Sequence, residues 1–309
     1  MKQAVIDVGS NSIRLTLYSV ADGQQFKILF REKIMAGLAG YVERGALSAE
    51  GIECACCALL EFRQTLESLD IREAAVFATA SLRNITNTEE ALAQIEAATG
   101  FSIKVLSGEE EAQLGYAGAM RELHISSGVF TDIGGASTEV VTFEAGAVQH
   151  STSFAVGSLS LYRSCVKKIL PGSGSRSRIE AVLTQEMDEK MPLPQGKRSP
   201  LIGVGGTARA ILKLARRYFD LPDSCRSISA RQFDRLYALL CRADKQTADL
   251  ILRTEPERIH TLVPGAMILR HIFTHFDADE LIVSKYGVRE GYLCQKILKN
   301  NIPTPKTGS

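Results

Sequence analysis

The sequence predicts an α/β protein of two domains built on one repeated plan, and three observations carry that expectation. The chain has 309 residues, more than a single hydrophobic core comfortably serves. Short apolar runs of strand length alternate with stretches of helical spacing through both halves. A strand followed by an Asp-Gly turn occurs twice: Asp7-Val-Gly-Ser-Asn-Ser-Ile and Asp132-Ile-Gly-Gly-Ala-Ser-Thr match at Asp, Gly and Ser, 125 residues apart. The expected domains are 1–122 and 123–309, with the C-terminal helix free to pack back on the first.

In order, QAVIDV (3–8) is a strand, IRLTLYSV a second that turns at Ala21-Asp22-Gly23, and FKILFREKIMA a third. Residues 48–69 are a helix with Ser48 as N-cap and Leu59, Leu60, Phe62, Leu66 and Leu69 as its apolar stripe. AAVFATA (74–80) is a buried strand, 88–99 a helix capped by Thr88, and SIKVL (102–106) a strand. The second half restarts with strands in GVFTDIGGASTEVVTF (128–143), a turn at Glu144-Ala145-Gly146, and AVQHSTSF. Helix 157–170, a linker PGSGSRSR (171–178), helix 179–190, strand LIGVGG (201–206) and helix 207–218 follow. Helices at 230–241, 245–253 and 262–275, a strand ELIVSKYGV (280–288) and a last helix, 289–299, complete the chain; the tail from Pro303 is expected to fray.

Hydrophobic residues are 45% and charged residues 23% of the chain, a globular composition. No apolar run reaches the length of a membrane span, and Asp7 interrupts the place of a signal-peptide core; the expectation is a cytoplasmic chain. Without tryptophan there is no aromatic platform of the kind single-stranded nucleic-acid binders use. The seven cysteines lack two spaced pairs for zinc, and Cys54, Cys56 and Cys57 read as small apolar helix residues in a reducing compartment. Residues 1–122 carry 11 Lys+Arg against 17 Asp+Glu, and residues 123–309 carry 25 against 18. The second half therefore suits a polyanion, although its densest stretch, 197–235 (Lys197, Arg198, Arg209, Lys213, Arg216, Arg217, Arg226, Arg231, Arg235), reads equally as a solvated helix face.

Three glycine turns follow strands: those at Asp7 and Asp132, and Gly203-Val-Gly-Gly-Thr. Glycines let backbone N–H groups approach phosphate oxygens, and the third turn opens a helix whose N-terminus attracts anions. An Asp beside a phosphate repels it unless a hard cation such as Mg²⁺ intervenes, so Asp7 and Asp132 are candidate metal ligands. SGEEEAQLGYAGA (107–119) opens a helix. Its acids suit the dipole, and Ser107 with Glu110 has capping-box spacing. Glu109 faces solvent in this reading, which leaves Glu111 without a structural task and available as a general base. Arg83, after a buried strand, either forks phosphate oxygens or makes a surface ion pair. His271 and His275 have i, i+4 spacing, but on an apolar helix packing is preferred to a metal.

VIDVGSNSIRL, FATASLRNITN, LSGEEEAQLGYAGA, TDIGGASTEVV, GVGGTARAI, ERIHTLVPGAMIL and VSKYGVREGYL, in this order, resemble the exopolyphosphatase / guanosine pentaphosphate phosphatase (Ppx/GppA) family over nearly the whole chain. The resemblance implies two ribonuclease-H-like domains of the actin / sugar kinase / heat-shock ATPase type, with an active site in the interdomain cleft. It places the catalytic base on Glu111 and the metal-linked carboxylate on Asp132, with Asp7 and Glu139 as further metal-site residues for Mg²⁺ or Mn²⁺. Phosphate contacts fall on Asn11, Ser12, Arg83, Gly134, Gly135, Ser137, Thr138, Gly205, Gly206 and Thr207. The implied substrate is inorganic polyphosphate or guanosine pentaphosphate; relatives often form homodimers, and no sequence-specific nucleic acid or membrane partner is implied.

The sequence departs from the pattern at Ala136, where many members have glycine, and at Ser160, where a basic residue is frequent. It also ends without the C-terminal helical extension of the long members. A kinase-like ATP-binding protein and a non-catalytic alarmone or polyphosphate sensor are the readings from other classes; the SGEEEA helix entry and the GVREG ending favour the phosphatase branch.

Overall fold

A computed structural model describes residues 1–21, 25–191 and 200–299. Asp22, Gly23, Lys197, Arg198 and the tail from Pro303 lie outside the described residues. The chain forms two compact units, Met1–Glu111 with the described residues from Tyr292 onward, and Ala112–Gly291.

Unit 1 begins with the antiparallel strands β1 (Lys2–Val8), β2 (Ile13–Val20) and β3 (Phe26–Ile34), then a short hairpin of β4 (Val42–Glu43) and β5 (Ala46–Leu47). Helix α1 (Ala49–Ser68) starts at Ser48, whose hydroxyl accepts from the Gly51 N–H at 3.3 Å. Strand β6 (Ala74–Ala78), helices α2 (Ala80–Arg83) and α3 (Thr88–Thr99), and β7 (Ile103–Val105) complete it. The five-stranded sheet runs β3-β2-β1-β6-β7, with β1, β6 and β7 parallel. Its core joins Ile6, Val8, Leu15 and Val76 to Leu59 and Phe62 of α1. Thr88 does not cap α3: its hydroxyl donates to the carbonyls of Leu82 and Ile85, and Asn87 holds the cap position.

Unit 2 repeats the plan. Helix α4 (Gly108–Met120) leads into the antiparallel strands β8 (Gly128–Ile133), β9 (Thr138–Glu144) and β10 (Ala147–Phe154). Helices α5 (Ser158–Cys165) and α6 (Ser173–Met187), strand β11 (Leu201–Val204), helix α7 (Gly205–Phe219), β12 (Ser227–Ser229), helices α8 (Ala230–Arg242), α9 (Lys245–Thr254) and α10 (Leu262–His275), strand β13 (Glu280–Val283) and α11 (Val288–Tyr292) follow. The sheet runs β10-β9-β8-β11-β13, the order of unit 1, and adds antiparallel β12 at its edge. Two mixed sheets of the same strand order constitute the duplicated α/β fold.

Several boundaries differ from the sequence expectation. The division falls after Glu111, not 122, because Ala112, Tyr116, Ala119 and Met120 of α4 pack with Phe130, Val141, Phe143 and Val204 of the second sheet. The expected PGSGSRSR linker is mostly the first turns of α6. Arg176 donates to the Pro171 carbonyl at 3.1 Å and Arg178 to the Cys165 carbonyl, which ties this polar, glycine-containing start to the turn before it. The last strand stops at Val283, and Leu293–Ile297 forms a π-helical turn.

Helices α4 and α11 meet through glycine. A Cβ on Gly118 would overlap the Gly287 carbonyl, and one on Gly291 would overlap the Leu114 carbonyl. Beside this crossing Glu122 accepts from the Ser284 hydroxyl at 2.9 Å and the Lys285 N–H at 2.6 Å.

Candidate active site

In unit 1, β1 ends at Asp7-Val8 and the turn closes when the Gly9 N–H donates to the Ser12 carbonyl at 3.2 Å. A side chain at Gly9 would press on that carbonyl. Asp7 is buried and stands opposite Arg14 in the ladder. Arg14 Nε donates to the Ser12 hydroxyl at 3.0 Å, so Ser12 is oriented by a cation. Asn11 is half-buried at the turn, and its carbonyl accepts from the Gly37 N–H at 3.0 Å.

Ser81, in α2, donates its hydroxyl to the Val8 carbonyl. That bond ties α2 to the turn and sets the direction of Arg83, two residues on. Arg83 Nη1 reaches the Glu111 carboxylate at 2.7 Å and the Leu106 carbonyl at 3.1 Å. The pair is mostly shielded from water, with 18% of the Arg83 and 10% of the Glu111 side chain exposed, so screening is weaker than at the surface. Glu111 therefore has a partner that the sequence did not reveal. Its neighbour Glu110 closes the capping box with Ser107, each side chain meeting the other residue's N–H at 3.1 Å. A bond from Lys104, then the Ser107 N–H, hold the Glu110 carboxyl below its ordinary range. Glu109 is exposed.

In unit 2 the corresponding turn closes in the same way, Gly134 N–H to the Ser137 carbonyl at 2.9 Å. Here Asp132 stands opposite Glu139. Glu139 is 1% exposed, and the Ser153 hydroxyl donates to its Oε1 at 2.8 Å. The N-terminus of α5 grips the loop: the Ser158 N–H donates to the Gly134 carbonyl, and the Leu159 and Ser160 N–H groups to the Gly135 carbonyl, each at 2.9 Å. Ser160, the departure at a frequently basic position, caps this helix by accepting the Gly157 N–H at 2.9 Å. Thr138 donates its hydroxyl to the Val156 carbonyl at 2.6 Å and Thr207 donates to the Ile133 carbonyl at 3.1 Å. Both threonines are buried and brace the loops with these hydroxyls.

The third turn joins β11 to α7. Gly205 has φ +75°, and a Cβ there would collide with the Asp132 carboxylate. The N-terminus of α7 thus lies against Asp132. The side chain of Arg258 lies so close to Gly206 that a Cβ would overlap its guanidinium. Arg258 is 13% exposed, and burial pushes its guanidinium below the ordinary value, opposed by Glu255 and Glu257. It was not among the expected site residues. It lies in the ERIHTLVPGAMIL segment that carries the resemblance, but only the fold shows it over a glycine 52 positions earlier. Seven expected residues of this unit, Asp132, Gly134, Gly135, Ser137, Glu139, Gly205 and Gly206, thus come together with it.

No three His, Cys, Asp or Glu side chains gather as a metal nest among the described residues. Asp132 and Glu139 make a two-carboxylate set, and that set fits Mg²⁺, which retains several waters and takes one or two protein carboxylates. Asp7 belongs to unit 1. His271 pairs with Asp188 at 2.7 Å and His275 packs edge-on against Phe276. The seven cysteines are free thiols, with Cys57 exposed.

A model of the Ppx/GppA phosphatase family matches residues 16–300. The chain belongs to this family. Against the guanosine-5'-triphosphate,3'-diphosphate pyrophosphatase of Vibrio vulnificus it is 28% identical over 301 residues, covering 93% of this chain and 58% of that protein. The chain therefore spans less than two thirds of that relative. It is 26% identical over 303 residues to a putative exopolyphosphatase of Haemophilus influenzae, covering 94% and 90%. An exopolyphosphatase structure from Cytophaga hutchinsonii has the same fold, with a TM-score of 0.85 at 20% identity over 98% of this chain and 99% of that one. The Aquifex aeolicus Ppx/GppA member gives 0.78 at 25%, covering 97% and 98%. No helix among the described residues is long and apolar enough to cross a membrane.

Proposed function

We propose that this Ppx/GppA member releases orthophosphate from the end of inorganic polyphosphate. The observation that carries the reading is in unit 2: two adjacent carboxylates, Asp132 and Glu139, share their surroundings with a phosphate-type glycine turn, a helix N-terminus and an arginine whose side chain is only 13% exposed. Acids and anion-binding groups coexist when a divalent cation bridges acid and phosphate. Asp132 and Glu139 would hold Mg²⁺ or Mn²⁺, directly or through water, and the ion would neutralise phosphate oxygens.

Glu111 takes a proton from water as the water oxygen bonds to the terminal phosphorus. The phosphoanhydride bond to the next phosphate breaks, yielding orthophosphate and a chain one unit shorter. Arg83, 2.7 Å from the Glu111 carboxylate, fixes its direction. The N–H groups of Gly135, Ser137, Gly205 and Gly206, with Asn11 and Ser12, hold the phosphate oxygens, while Gly134 contributes by closing the turn with its N–H on the Ser137 carbonyl. Thr138 and Thr207 contribute through their backbone, since their hydroxyls serve the loops. Asp7, which stands opposite Arg14 in its ladder, would act on the ion through water, since an acid beside phosphate needs the cation between them.

Glu111→Gln should lower phosphate release from long polyphosphate by about 10³-fold at saturating Mg²⁺, within the span of general-base effects. Near-wild-type release would end the assignment. The second reading is the same chemistry on guanosine pentaphosphate, the class named for the Vibrio relative. Initial rates on long polyphosphate, tripolyphosphate and guanosine pentaphosphate, compared side by side, decide between them. Tight ATP binding with no phosphate release from any of them would instead favour a kinase-like or sensor protein.

A further inference from the structure

Unit 2 has a concavity at the end of α7 away from the glycine turn. It is a hollow of about 520 Å³ lined by Arg217 and Tyr218 of α7, Lys245, Asp249, Leu250 and Arg253 of α9, and residues beside them. Gly205 and Arg217 lie twelve residues apart on one helix, so about 18 Å separates this hollow from the phosphate turn.

Its three cations are exposed, and none has an ion-pair partner among the described residues. Neighbouring cations are already engaged, Lys213 with Glu255 and Arg242 with Asp244. Arg217 and Arg253 stand near helix C-termini, where the dipole accounts for a cation. Lys245 is the first residue of α9, where the dipole opposes one, and Asp244 already caps that helix by accepting the Thr247 N–H at 3.0 Å. Helix stability therefore does not explain Lys245. Lys245, Asp249 and Arg253 recur every fourth residue and share one face. With Arg217 opposite, the hollow has a net charge of two positive units, and the exposed Tyr218 ring lies at its side.

We propose that this hollow is an accessory site for a chain of two or more phosphates, either an inorganic oligophosphate or the phosphate tail of a nucleotide. Three cations spread around a hollow of ligand size suit several linked phosphates better than a single one. The Tyr218 ring offers a stacking face only to the nucleotide.

The chain has no tryptophan, so Tyr218→Trp makes a single reporter inside the hollow. Its fluorescence should change saturably with tripolyphosphate or with ATP. Adding Arg217→Ala and Lys245→Ala should weaken that binding about tenfold or more, while Asp249→Asn should tighten it by removing the opposing charge. Phosphate release from polyphosphate should be unchanged by the Arg217 and Lys245 substitutions, and an unchanged melting temperature confirms folding. Calorimetry on the unsubstituted chain should show a binding event that the paired substitution removes. Equal affinity for the two anions assigns the bare phosphate chain; tighter ATP assigns the nucleotide. No saturable response to either, an affinity indifferent to the paired substitution, or weaker binding in Asp249→Asn overturns the site.

Discussion

Across the ladder from Asp7 stands Arg14, and across from Asp132 stands Glu139; both partners lie seven residues downstream of their aspartate. Both turns close with a glycine N–H on a serine carbonyl. Both are tied to the next parallel strand by a hydroxyl three residues past its end, Ser81 on the Val8 carbonyl and Thr207 on the Ile133 carbonyl. The backbone device is thus the same, and the difference lies in charge. In unit 1 an acid faces a cation; in unit 2 an acid faces an acid, and like charges directly opposite are unfavourable unless something positive joins them. The repeated turn is one main-chain device used twice, and the charge of the residue across the strand is what separates the two copies; under the proposed function, that charge is what assigns the divalent ion to unit 2.

The largest expected contrast is in metal dependence. Glu139→Gln should raise the Mg²⁺ concentration for half-maximal phosphate release by about 10- to 100-fold, whereas Arg14→Gln should leave it within about threefold. Equal shifts in titrations of the two variants would erase the distinction between the units.

Glycine substitution probes the backbone. Gly205→Ala sets a Cβ against the Asp132 carboxylate at φ +75°, and should cost about 2–3 kcal/mol in denaturant unfolding together with most activity. Gly9→Ala, which has no positive φ and presses only on the Ser12 carbonyl, should cost less, about 1 kcal/mol.

The matched hydroxyls should then behave alike. Ser81→Ala and Thr207→Val each remove one buried bond and should each cost about 1–2 kcal/mol, with Thr207→Ser close to wild type. A loss in only one unit would show that the two ties are not equivalent.

The smallest effect concerns Glu110. Its carboxyl is held low by Lys104 and the Ser107 N–H, so its contribution is present above the ordinary value of 4.5 and fades as pH falls below it. The Glu110 side chain is 36% exposed, so Glu110→Gln should cost only a few tenths of a kcal/mol at pH 7, and less as the pH is lowered below 4.5, read from thermal unfolding across that range.

Local signals were legible in the sequence. The capping box at Ser107 and Glu110, the start of α1 at Ser48 and the span of α10 each depend on neighbours within four residues. The repeat of the Asp turn was legible because its backbone demands glycine and serine at set places. What stayed hidden joins distant segments. Arg83 meets Glu111 only once β6 and α4 are placed, Arg258 covers Gly206 only once α7 has folded, and the hydroxyl of Thr207 is spent on Ile133. The polar start of α6 read as a linker because its anchors, the carbonyls of Cys165 and Pro171, are main-chain groups with no signature of their own.

The meeting of α4 with α11 changes what a familiar stretch of letters means. In GVREG the second glycine, Gly291, leaves no room for a Cβ beside the Leu114 carbonyl, and the Gly287 carbonyl leaves none at Gly118; the Glu290 carboxylate, 1% exposed, accepts the Gly287 N–H at 3.0 Å. Because main chain presses on main chain at Gly118 and Gly291, no side chain can give way, and packing alone holds these two positions to glycine. That requirement would persist in a chain that had lost every reacting group. The glycine of this ending therefore reports on packing, and the proposed chemistry has to be tested elsewhere, at Glu111 and at Asp132, the penultimate residue of β8.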